Sequence, residues 1–141
     1  MRIAPSLILF ACLILVTVSA PALAGTPESQ ETELYFISPG DGDTVSSPVQ
    51  VVFGLSGMGV APAGVEKAGT GHHHLIIDAE LPPLDKPIPS DANHRHFGGG
   101  QTETVIDLPP GKHTLQLVLG DFSHVPHAEP VVSRKITITV K

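Results

Sequence analysis

The hydrophobic and polar positions divide the chain into one long apolar run and a series of short alternating segments. The apolar run is Leu7 to Val18, preceded by Met1-Arg2 and followed by Ala22-Leu23-Ala24. It is short for a membrane span, and a positive start, an apolar stretch and a small-x-small site together read as a cleavable export signal. Residues 1–24 are therefore expected to be a signal peptide cut after Ala24. Residues 25–33 are expected to be a flexible lead-in.

Beyond it the period is two. Leu34 to Ile37 reads as a short strand, and Val49, Val51, Phe53 and Leu55 alternate along a second. His72 to Asp78 is β-rich. Thr104, Ile106 and Leu108 share a face, as do His113, Leu115, Leu117 and Leu119, and Ile136, Ile138 and Val140 close the chain. Gly/Pro turns separate these runs, with Pro39-Gly40-Asp41-Gly42 and Pro109-Pro110-Gly111 the densest. No helical period appears outside the signal. Residues 79–101 are rich in proline and contain Gly98-Gly99-Gly100. A stretch that long in a small domain is functional or hides a short strand. The pattern predicts an all-β fold, an immunoglobulin-like β-sandwich of about seven short strands over residues 34–141. The absence of tryptophan and of a second cysteine excludes an antibody-type domain.

Composition narrows the chemistry. The one cysteine, Cys12, would leave with the signal, so cysteine catalysis and disulfides are excluded from the mature chain. Without Arg2 the chain keeps seven Lys and Arg against fourteen Asp and Glu, a formal charge of −7. No basic patch appears, which argues against nucleic acid and anionic membranes as partners. The mature form would carry no membrane span.

All eight histidines lie between positions 72 and 127. They fall into His72-His73-His74, His94 and His96, His113, and His124 with His127. Residues two apart on a strand share a face, with α-carbons about 6–7 Å apart. Two such imidazoles can reach one ion through metal–nitrogen bonds of about 2 Å. If 72–78, a short strand within 79–101, and 113–119 serve as strands C, D and F, the three paired groups meet at one end of the sandwich. His72, His74, His94, His96, His124 and His127 are thus the expected metal ligands. His73 points the other way and His113 leads a core-facing strand, so both are expected to be structural. An imidazole-rich site without thiolate suits copper(II), zinc(II) or nickel(II) better than calcium or magnesium, and copper or zinc is the expected ion. Met58 is a further candidate for reduced copper, and Asp78, Asp121 and Glu129 are candidate oxygen ligands or orienting partners.

Three blocks also resemble a known bacterial family. They are Gly71-His72-His73-His74-Leu75-Ile76-Ile77-Asp78, His94-Arg95-His96-Phe97-Gly98-Gly99-Gly100-Gln101-Thr102-Glu103, and Pro110-Gly111-Lys112-His113-Thr114-Leu115-Gln116-Leu117 running on to Gly120-Asp121 and His124-Val125-Pro126-His127. In this order, across roughly residues 70–140, they resemble domain of unknown function 4399. The resemblance implies a small exported bacterial domain and assigns no activity. The residues themselves point to an exported carrier, buffer or sensor for copper or zinc, and the resemblance to a bacterial family implies a periplasmic or secreted location. The alternatives are an interaction module that binds an envelope protein partner and uses its histidines structurally, and a metal-dependent redox enzyme. No Gly-x-Ser-x-Gly elbow, P-loop or dinucleotide fingerprint is present.

Overall fold

The computed structural model describes residues 31–141. The expected signal peptide lies outside the described residues, as does the lead-in up to residue 30. Nine strands form among the described residues: β1 (Glu33–Ser38), β2 (Thr44–Val45), β3 (Val49–Ser56), β4 (Gly59–Val60), β5 (Thr70–Ile77), β6 (His94–His96), β7 (Glu103–Ile106), β8 (Gly111–Gly120) and β9 (Ile136–Val140). There is no helix among the described residues. The six runs read as strands in the sequence form β1, β3, β5, β7, β8 and β9. The two-residue strands β2 and β4 are too short to leave a period in the sequence.

The strands form two facing sheets. One has the order β1-β3-β7. The other runs β2-β9-β8-β5-β4, with β6 also paired to β5. Alternate side chains from both sheets meet between them. Leu34, Val51, Phe53 and Ile106 from the smaller sheet face Leu75, Ile77, Leu115, Leu117, Leu119 and Ile138 from the larger. Fully burying each such side chain contributes about 1.5–3 kcal/mol. The all-β sandwich is as the alternation predicts.

The segment 79–101 does contain a strand, but in a different place from the one expected. β6 does not join the smaller sheet as a strand D would. It pairs antiparallel with β5, setting His74 opposite His96 and Ile76 opposite His94. The rest of the segment folds over the outer face of the larger sheet. There Ile88 packs on Ile76 and Val118, with Leu81, Leu84 and Val132 around them. This second, smaller core explains why β5 is buried on both faces along almost its whole length.

Candidate metal centre

Strand parity on β5 decides which histidines meet. His73, Leu75 and Ile77 face the sandwich core, and His73 lies against Phe53 with ring centres 5.1 Å apart. His72, His74 and Ile76 face outward. On the neighbouring strand β8, Gly120 stands opposite His72 and Val118 opposite His74. β6 brings His96 beside His74 on this outer face. β5 starts where β8 ends, so the 121–127 loop that leaves β8 lies next to His72.

That loop is tied tightly. The Asp121 carboxylate accepts hydrogen bonds from the Ser123 N–H (2.8 Å), the Ser123 hydroxyl (2.8 Å) and the Val125 N–H (2.9 Å). Burial alone would raise the Asp121 pKa. The bonds from Ser123 and Val125 more than offset it and hold the carboxyl below its usual value. Within this turn His124 adopts a φ of 69°, a conformation uncommon for a side-chain-bearing residue though enriched in histidine. Its carbonyl accepts from the Ile88 N–H at 2.9 Å, which fastens the 79–93 cover to the same loop.

The result is a cluster of four imidazoles: His72, His74, His96 and His124. Ring centres are 4.7 Å apart for His72–His74, 5.0 Å for His72–His96 and 4.6 Å for His96–His124. One ring nitrogen each from His72, His74 and His96 lies within 4.8 Å of the other two. His72 is fully buried and His74 is 1% exposed, while His96 opens to solvent. None of the four ring nitrogens of His72 and His74 has a hydrogen-bond partner. Buried polar atoms are normally paired, and an unpaired one costs about 1–3 kcal/mol.

Electrostatics favour the neutral form of His72, His74 and His96. Burial pushes the His74 pKa down to about 3, helped by the neighbouring His72, His96 and His124, and the backbone of His72 offsets this only weakly. Burial, then His96 and His124, lowers His72 to about 4 against a small opposing effect of Asp121. His96 is lowered by burial and by His124. Neutral imidazole is the form that donates a lone pair to a metal.

Glycines make the room. A β-carbon on Gly120 would lie 2.7 Å from His74 Cε1, and one on Gly98 would lie 2.3 Å from His96 Cε1. Neither contact is tolerable without displacing a ring. The sequence marks Gly98 only as the first of three consecutive glycines, and Gly120 only by its place before Asp121-Phe122-Ser123. The signal available in the chain was a glycine closing a strand directly before an Asp-x-Ser turn.

The other expected ligands stand apart from this cluster. His94 shares the outer face but sits beyond His96, where its Nδ1 bonds Asp91 at 2.8 Å. The His127 Nε2 lies over Gly71, 3.0 Å from where a β-carbon would be, on the core-facing side of β5. That nitrogen is buried without a partner, and the ring lines a cleft of about 1170 Å³ together with Met58 and β1. His113 bonds the Asp78 carboxylate at 2.6 Å through Nδ1 and the Pro109 carbonyl at 2.8 Å through Nε2. Two acceptors require two N–H groups, so this ring is an imidazolium, and the bond to Asp78 raises its pKa. His113 is thus fully satisfied, whereas the ring nitrogens of His72 and His74 on the outer face of β5, and of His73 on its core face, are buried without partners.

The family model described as "Domain of unknown function (DUF4399)" matches residues 51–141. The match begins earlier than the blocks recognised in the sequence and takes in β3 and the glycine-rich loop after it. No curated protein matches the chain. Among solved structures, the endo-beta-1,4-mannanase from Thermotoga petrophila is similar, with 17% identity over 84% of this chain and a TM-score of 0.48. The chain spans about a fifth of that protein's length, 21%.

Proposed function

The chain belongs to the DUF4399 family, and we propose that it is an exported metal-binding protein, a carrier, buffer or sensor for copper or zinc in the bacterial envelope. One observation carries the reading. His72 and His74 are buried beside His96 and His124, and their four ring nitrogens have no partner within the protein. His73, on the core side of the same strand, is also buried with both ring nitrogens unpaired, so it is the gathering of four rings on one face, together with the missing partners, that points to an ion. A metal ion would satisfy one nitrogen on each ring at once.

Rigidity favours the same reading. The two buried ligands stand on a central strand, which holds them in place before an ion arrives, and preorganised ligands bind more tightly. The nitrogen-only donor set suits a borderline transition metal over calcium or magnesium. Export is supported by the pattern of residues 1–24. No helix among the described residues is long and apolar enough to cross a membrane.

The test is metal analysis of the protein purified from its own envelope without chelator. The expected result is copper or zinc at close to one ion per chain. Folded protein free of transition metal would reject the proposal.

A further inference from the structure

The six separations among the four rings report the shape of the site. They are 4.6 Å (His96–His124), 4.7 Å (His72–His74), 5.0 Å (His72–His96), 5.0 Å (His72–His124), 5.2 Å (His74–His96) and 6.0 Å (His74–His124). An imidazole nitrogen lies about 1.1 Å from its ring centre, so a ring bound at about 2.0–2.1 Å places its centre about 3.2 Å from the ion. Four such centres at the corners of a tetrahedron are all about 5.2 Å apart. At the corners of a square, four pairs are about 4.5 Å apart and the two diagonals about 6.4 Å. A square therefore needs two long separations that share no ring. His74–His124 is long at 6.0 Å, but the pair opposite it, His72–His96, is 5.0 Å. The other five separations lie within about 0.6 Å of the tetrahedral value.

The geometry points to a closed tetrahedral centre for zinc(II), in which His124 completes a set of four histidine ligands. This rests on the metal-binding reading above and goes beyond it in naming the ion and its coordination. Zinc(II) has no d-electron preference and takes four nitrogen donors tetrahedrally, whereas copper(II) seeks a square or tetragonal field. Copper(I) is selected by soft sulfur ligands. Met58, the one sulfur-bearing residue among those described, lines the cleft beside His127 and not the four-ring cluster.

Closing the set requires His124 to turn a ring nitrogen toward those of His72, His74 and His96, which already lie within 4.8 Å of one another, and its ring to approach His74 by about 0.8 Å to reach the tetrahedral separation. The His124 ring makes this move by side-chain rotation, since it is half-exposed while its backbone is held by the Asp121 turn and His74 is fixed on β5. His96 is the other solvent-facing ligand, on a strand of three residues at the margin of the sheet. The ion thus enters and leaves between His96 and His124. Catalytic zinc keeps an open position for water, and four histidines leave none. The centre is built to hold and release an ion.

Two measurements on the full exported protein test this, zinc-edge X-ray absorption and the visible spectrum of the cobalt(II)-substituted form. Four nitrogen scatterers at about 2.0 Å and the intense visible bands of tetrahedral cobalt are expected. His124→Asn keeps a side chain tolerant of positive φ while removing the imidazole. Loss of an outer partner of a ligand already costs about 10–100-fold in metal affinity, so H124N should weaken zinc by at least about tenfold and bleach the cobalt bands. H127A should change neither. Five- or six-coordinate zinc with oxygen ligands, or an H124N protein with unchanged affinity and spectra, would overturn the tetrahedral four-histidine centre. Uptake of copper(II) alone, in a tetragonal field, would overturn it and leave the metal-binding reading standing. Folded protein that takes up no ion would overturn both.

Discussion

Replacing His74 by leucine should stabilise the metal-free protein while abolishing its metal uptake. The ring is 1% exposed, and neither nitrogen has a partner. A neutral imidazole brings one donor and one acceptor into that position. Leaving such groups unpaired costs about 1–3 kcal/mol. Leucine fills a similar volume with no polar atom, beside Val118, its cross-strand neighbour on the outer face. The metal-free variant should therefore be more stable by about 1–3 kcal/mol, and its melting temperature higher by about 4 °C per kcal/mol for a domain of this size. Zinc should raise the melting temperature of the natural protein and leave the variant unmoved. The order of the two proteins would then reverse when metal is added. Thermal melts in chelator and in excess zinc read this directly. A variant that loses several kcal/mol yet binds metal like the natural protein would show that His74 is structural and would refute the reasoning.

Gly98→Ala places a β-carbon where His96 Cε1 now lies. Because the far end of an exposed side chain can move away, the fold should melt normally while metal affinity, read by competition with a chromophoric chelator, drops at least about tenfold. Asp121→Ala removes the acceptor for three hydrogen bonds and frees the turn that presents His124. Stability should fall by about 1–3 kcal/mol in denaturant titrations, and metal should bind more weakly. His72 and His74 have folded-state pKa values of about 4 and about 3, against an unfolded value of about 6.5. The unfolded chain binds more protons over that interval, so metal-free stability should decline as pH falls from about 6.5 toward 4. The H72L/H74L double variant should lose the part of that decline due to these two rings, while His73 and His96, also lowered by burial, keep theirs. His113 behaves oppositely. Its pKa is raised by Asp78, so the pair contributes fully below about pH 6.5 and its contribution fades as pH rises through the folded-state value. Asp78→Asn should remove that alkaline loss in denaturant titrations across pH.

The alternation of Val49 to Leu55 and of His113 to Leu119 was enough to predict facing sheets, because a half-buried strand writes its inner face into every second residue. The same parity separated His72 and His74 from His73. Two things were not legible. The first was where residues 94–96 would pair. A three-residue strand carries no period of its own, and its partner is chosen by the hydrophobic cover around Ile88 that only the folded chain assembles. Its pairing with β5 put the four-histidine cluster on the outer face of a sheet and not at the end of the sandwich. The second was how neighbours two or three residues apart would diverge. His94 and His96 share a face, yet an Asx-type turn at Asp91 claims one of them. His124 and His127 share a loop, yet the Asp121 turn directs His124 to the outer face while the His127 Nε2 lies over Gly71 on the other. Local side-chain-to-backbone bonds of this kind leave only a faint trace in the sequence.

The most direct measurement is a calorimetric titration of the chelator-treated, folded protein with zinc at neutral pH. One ion per chain is expected, with no binding to the H72A/H74A variant. The absence of binding heat from folded natural protein at several temperatures, or an isotherm unchanged by H72A/H74A, would contradict it.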